Sequence, residues 1–130
     1  MGERFFREQR IRLGDDFAKF HSPEAFEFRS TFFVLKILNT GRSVSRLGVI
    51  ASKKVGNAVV RSGVRRVMRE IFRKKLQKYS KSYDYLIIAR RGARHASYGN
   101  IEFELLNAAA TIYKQMARGC KNPQNGVEGA

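Results

Sequence analysis

Apolar positions along the chain recur with two different periods. The run Thr31-Phe32-Phe33-Val34-Leu35-Lys36-Ile37-Leu38 is rich in β-branched and aromatic residues and predicts a strand. Asn39-Thr40-Gly41 is turn chemistry. Arg46 to Ala51 predicts a second strand, expected to pair with the first as a hairpin. From about Ala58 to Tyr79 the period changes. Val60, Val64, Val67, Met68, Ile71, Phe72 and Leu76 fall in steps of three and four and predict one apolar helix face. Gly63 interrupts that helix at up to about 1 kcal/mol against alanine, so a loose or late first turn is expected. Tyr83 to Ala89 predicts a third, apolar strand, ended by Arg90-Arg91-Gly92. Ile101, Leu105, Ala108, Ile112 and Met116 predict a second long helix over about Tyr98 to Met116.

The chain ends are less patterned. Residues 1–13 read as a basic arm, and Gly14 to Phe20 as a short helix whose Asp15 and Asp16 suit the positive end of its dipole. Ser22-Pro23 breaks it. Residues 119–130, with Pro123, Gly126 and Gly129, read as a disordered tail. Residues 14–118 then form a single domain. The order of elements predicts an α/β (α+β) two-layer sandwich. It has a small mixed sheet of three or four strands, a crossover helix between strands, and one sheet face left open.

Charge sharpens this picture. The 130 residues carry 26 Lys and Arg against 11 Asp and Glu, a net +15. Residues 41–94 hold sixteen basic side chains and two acids, Glu70 and Asp84; the flanking segments are nearly neutral. A surface evolved only for solubility mixes both signs, whereas a block of one sign calls for a polyanion. Nucleic acid is the expected partner, with an anionic membrane as the other candidate. No apolar run reaches the about 18 residues of a membrane helix, and no secretory signal pattern opens the chain. The single cysteine, Cys120, permits no internal disulfide, which suits a reducing, cytoplasmic setting. His21 and His95 do not have the spacing of a zinc site.

Enzymatic motifs are missing: no GxxxxGK, no GxGxxG, no GxSxG and no HExxH occurs. The carboxylates Glu102 and Glu104 read as a solvated helix face. His95, beside Arg90, Arg91 and Arg94, reads as a loop residue. The stripe Arg61, Arg65, Arg69 and Arg73, widened by Arg66 and Lys74, is different. Guanidinium forks one helical turn apart match a row of phosphates. A merely solvated face needs acids nearby, and this segment offers only Glu70. Lys53 and Lys54, just before the helix, extend the basic surface. Phe17, Phe20 and an outward residue of the first strand could stack unpaired bases on the open sheet face, or could equally be core.

The segment SKKVGNAVVRSGVRRVMREIFRKK, Ser52 to Lys75, resembles the signature of the bacterial ribonuclease P protein subunit. RIRL and DDF upstream, and YDYLIIARRGA downstream, are similar to that family's entry segment and late strand. The resemblance covers about residues 9 to 116 and implies a compact, ribosomal-protein-like sandwich. It implies a non-catalytic subunit that binds the catalytic RNA of ribonuclease P and helps it remove the 5′ leader of precursor tRNA. The chemistry then belongs to the RNA and its magnesium ions. By the same resemblance, the RNA contacts map to Lys53, Lys54, Asn57, Arg61, Arg65, Arg66 and Arg69, and the leader groove to Phe17, Phe20, Phe33 and Lys36. No membrane and no small-molecule substrate is expected. The chain departs from the family's Arg-Asn-Arg, reading Arg61-Ser62-Gly63, and the two aromatics of the short helix stand three apart rather than four. A structural RNA-binding protein, such as a ribosomal protein or assembly chaperone, is the competing reading, and a stand-alone nuclease a weaker one.

Overall fold

The computed structural model describes residues 20, 24–41, 45–76 and 83–118. The predicted arm, the short helix apart from Phe20, and the tail lie outside these residues. Four strands form one mixed sheet: β1 (Phe26–Arg29), β2 (Phe33–Asn39), β3 (Arg46–Ile50) and β4 (Tyr83–Ala89), in the order β1-β2-β4-β3. Helix α1 spans Ala58–Ile71 and α2 spans Tyr98–Arg118. A π-type turn, Phe72–Leu76, continues α1, and a 3-10 turn, Arg91–His95, follows β4.

β1 was not expected, although Phe26-Glu27-Phe28-Arg29 alternates with period two. It pairs antiparallel with β2, Phe28 opposite Leu35. The connection is tied by Ser30, whose Oγ accepts from the backbone N–H of Phe32 (3.0 Å) and of Phe33 (3.3 Å). Thr31 and Phe32 therefore belong to the turn and not to the strand.

The expected hairpin of β2 with β3 does not form. β2 pairs antiparallel with β4, and β3 pairs parallel with β4, so the chain crosses from β3 to β4 through α1. The physical reason lies in β4. Its residues from Asp84 to Ile87 are all buried, which requires neighbours on both sides and layers on both faces. β3, with Gly48 at its centre and Arg46 at its start, is suited to the edge.

Period two assigns the sheet faces. Phe33, Leu35, Ile37, Leu47, Tyr85, Ile87 and Ala89 point to the helices. They meet Val64, Met68 and Ile71 of α1 and Ile101, Leu105, Ala108 and Ile112 of α2. The π-type turn carries both Phe72 and Leu76 into this core. The Phe72 ring meets Tyr85 edge-to-face at 5.4 Å, a geometry worth about 0.5–1.5 kcal/mol beyond burial. The other face holds a smaller cluster of Phe20, Leu38 and Leu86, flanked by Ala25, Ile50 and Ile88. Asp84 lies on that face, 1% exposed, directly opposite Arg46 in register, whose Nε donates to it at 3.1 Å.

The helix start is firm despite Gly63. Asn57 caps α1, its Oδ1 accepting from Val60 N–H at 2.9 Å. Gly56 makes this entry possible: a Cβ there would stand 2.8 Å from Val60 Cγ1.

Candidate nucleic-acid interface

Between β3 and α1 the chain makes one tight turn. Val55 is fully buried and anchors it, its N–H donating to the Ser52 carbonyl at 3.0 Å. Lys53 and Lys54 are left exposed immediately before the helix N-terminus. The first turn of α1 contains no acid. The positive end of the helix dipole and these ammonium groups therefore add to one field instead of cancelling.

Along α1 the cations divide into two groups. Arg61, Arg65 and Arg66 make no ion pair among the described residues, and the Nε of Arg61 is shielded from solvent without a hydrogen-bond partner. Arg73 and Lys74 instead bracket Glu70, at 2.8 and 3.2 Å. The hydrogen bonds from Lys74 and then Arg73 hold the Glu70 carboxyl below its ordinary value of 4.5. Lys75 approaches Glu102 at 3.8 Å. The sequence showed one stripe; the structure shows an open half and a neutralised half. Asn57, mapped to an RNA contact, spends its carbonyl on the helix cap and keeps only its amide N–H donors.

The parallel pairing of β3 with β4 adds residues that spacing alone had set aside. Ile50 stands opposite Ile88, so Lys53 and Lys54 leave the sheet at the same end as Arg90, Arg91 and Arg94. All five are exposed. The signal was the doubled Arg90-Arg91 after an apolar strand, but only the register shows that it joins the surface of Lys53 and Lys54.

On the second sheet face the predicted groove residues separate. Phe33 is a correction: it is 0% exposed and packs under the helices. Residues 33 and 36 differ by an odd number of positions, so one strand cannot present both on one face. Lys36 does lie on the second face, its Nζ 3.5 Å from the Phe20 carbonyl and 3.6 Å from Glu27. Phe20 lies there too, but its ring is 2% exposed and packs on Leu38 and Leu86. Phe17 lies outside the described residues. Among the described residues no three His, Cys, Asp or Glu side chains gather as a metal cage, and no helix is long and apolar enough to cross a membrane.

Comparison with known proteins adds to this geometry. The sequence model of the family described as Ribonuclease P matches residues 5–113. The chain is 36% identical over 100 residues to the ribonuclease P protein component of Halalkalibacterium halodurans, covering 76% of this chain and 83% of that one. Identity to the Alkaliphilus oremlandii component is 34% over 98 residues, covering 75% and 85%. The RNase P protein structure of Staphylococcus aureus superposes with a TM-score of 0.71 at 28% identity, covering 80% of this chain and 94% of that one. That of Thermotoga maritima gives 0.66 at 29%, covering 75% and 92%.

Proposed function

The chain belongs to the ribonuclease P protein family, and from that premise we propose how it works as the protein subunit of ribonuclease P. Its relatives favour this role over a ribosomal protein or an assembly chaperone. The open half of the basic surface, Lys53, Lys54, Arg61, Arg65 and Arg66 without acid partners among the described residues, is the observation that carries the reading. These groups dock on the phosphates of the ribonuclease P RNA, and RNA oxygens satisfy the orphaned Arg61 Nε. Arg69 and Arg73 continue the row, with Arg73 already shared with Glu70. Phosphate contacts of this kind position the complex and make it salt-dependent.

Lys36 and the second sheet face take the 5′ leader of precursor tRNA, the contact to which the family resemblance also assigns Phe17. Phe20 shapes that face from beneath, since its ring is packed on the sheet. The protein supplies no catalytic side chain. Magnesium supplies Lewis-acid chemistry from sites on RNA and substrate, because a surface of ammonium and guanidinium groups repels a divalent cation. The subunit acts in the cytoplasm.

Reconstitution tests this directly. Purified protein, a bacterial ribonuclease P RNA and labelled precursor tRNA are combined at low magnesium, with each component alone as control. Cleavage at the leader junction that needs both protein and RNA is expected. RNA binding without any stimulation of cleavage would return the structural RNA-binder, and cleavage by protein alone would return the nuclease.

A further inference from the structure

A hollow of about 500 Å³ opens between the β1–β2 turn, the end of β4 and α2, lined by Phe28, Arg29, Ser30, Thr31, Arg90 and Glu104. Its size falls within the roughly 300–1,000 Å³ of small-ligand sites. It adjoins the basic end of the sheet, because Arg90 follows directly from β4. Its walls are held in place from behind. Arg90 N–H donates to the Phe32 carbonyl at 2.9 Å, and Arg90 Nη1 donates to the Ser30 carbonyl at 3.2 Å. Gly92 lets the next turn press on the same loop: a Cβ there would stand 2.8 Å from the Thr31 carbonyl oxygen.

The side chains of this hollow are complementary yet unbridged. Glu104 is half-buried and makes no ion pair among the described residues, although two guanidinium groups line the same space. Arg29 is turned to Glu27, at 2.6 Å, and Arg90 to Ser30. A carboxylate and guanidinium groups that share a hollow without closing on each other leave room for a ligand carrying donors on one edge and acceptors on another.

We propose that this hollow holds one unpaired guanine nucleotide of a bound RNA strand. Guanine alone among the four bases offers two adjacent donors, N1–H and N2–H, to a carboxylate, here Glu104. Its O6 and N7 accept from a guanidinium, here Arg90, in the pairing arginine favours. Adenine and cytosine would set a ring acceptor beside their amino donor, against the carboxylate. Uracil has one N–H between two carbonyls. Phe28 gives the base an apolar wall, and the exposed Arg91 and Arg94 take the flanking phosphates. The inference rests on the RNA-binding reading above and names a base that the surface selects.

The test is titration of the full chain with GMP, AMP, CMP and UMP, followed by amide NMR shifts. GMP is expected to move the amides of Phe28 to Thr31, Arg90 and Glu104, with a Kd roughly tenfold below that for AMP, the usual worth of one bidentate base contact. Glu104→Gln, nearly isosteric on the helix, is expected to bring GMP to the AMP level while its amide spectrum elsewhere is unchanged. Four equal affinities, or shifts confined to α1, overturn the pocket. Ribonuclease P RNA binding is measured on the same wild-type sample. GMP selectivity without it upholds the pocket and sinks the subunit reading; RNA binding without GMP selectivity does the reverse.

Discussion

Asp84 and Arg46 form a buried ion pair between neighbouring strands. The Asp84 side chain, 1% exposed, is gripped by the Arg46 guanidinium from the neighbouring strand. Arg46→Met removes this buried guanidinium–carboxylate pair and should lower stability by about 3–5 kcal/mol, read as a lower urea midpoint. An unchanged midpoint would mean that the Arg46 contact contributes nothing to stability. Glu70 is an exposed contrast. Its lowered pKa means that its pairs stabilise fully above about pH 4.5 and are lost as pH falls through the lowered value. The Tm gap between the wild-type chain and Glu70→Gln should therefore be present near neutral pH and close on acidification. A gap constant with pH would exclude the ionic cause. At Gly63 an added Cβ meets nothing within 4 Å. Gly63→Ala should then stabilise by about 0.5–1 kcal/mol, seen as a higher Tm. A lower Tm would show strain at that helix position.

At the scale of the element, α1 is one helix with two electrostatic halves. Its first turns present cations without acid partners among the described residues, and the π-type extension carries cations already shared with Glu70 and Glu102. Counterion release counts only charge that the RNA newly neutralises. Arg65→Ala should therefore reduce the slope of log affinity against log salt by about 0.7–0.9. Arg73→Ala should reduce it by less, since the Arg73 charge is already partly neutralised by Glu70. Equal slope changes in the two variants would show that the Glu70 pair opens on binding. The helix periodicity made the stripe visible in the sequence. Glu70, three and four residues before Arg73 and Lys74, already marked the neutralised end in the sequence; the Lys75 contact was not visible, because Glu102 is brought in from another helix.

The whole molecule sets the two proposed contact surfaces on opposite sides of one sheet. The helix layer carries α1 and its cations, and the second face carries Lys36. A subunit built this way should allow the two contacts to be impaired separately. In the reconstituted holoenzyme, Lys36→Ala is expected to weaken binding of precursor tRNA several-fold and leave mature tRNA unaffected. Arg65→Ala should raise the protein concentration needed for assembly and affect both substrates alike. If Lys36→Ala weakens both equally, its bond to the Phe20 carbonyl is structural and the leader passes elsewhere.

Local pattern determined much of this protein. Period and punctuation were enough to place β4, α1 and α2, because each buries a face through residues close in sequence. The charge block from Lys53 to Arg73, and the family resemblance it carries, were also legible as written. Strand partners were not. β2 and β3 lie close in sequence and both are β-rich, yet β4, arriving after a helix, takes the place between them because its two apolar faces need it. Register then decided what spacing could not: Phe33 faces the helices while Lys36 faces away. Arg90 and Lys53 leave the sheet at the same end, and Glu104 and Arg90 line one hollow. Such pairings join residues far apart in sequence, and their energy arises only when the sheet and its layers close.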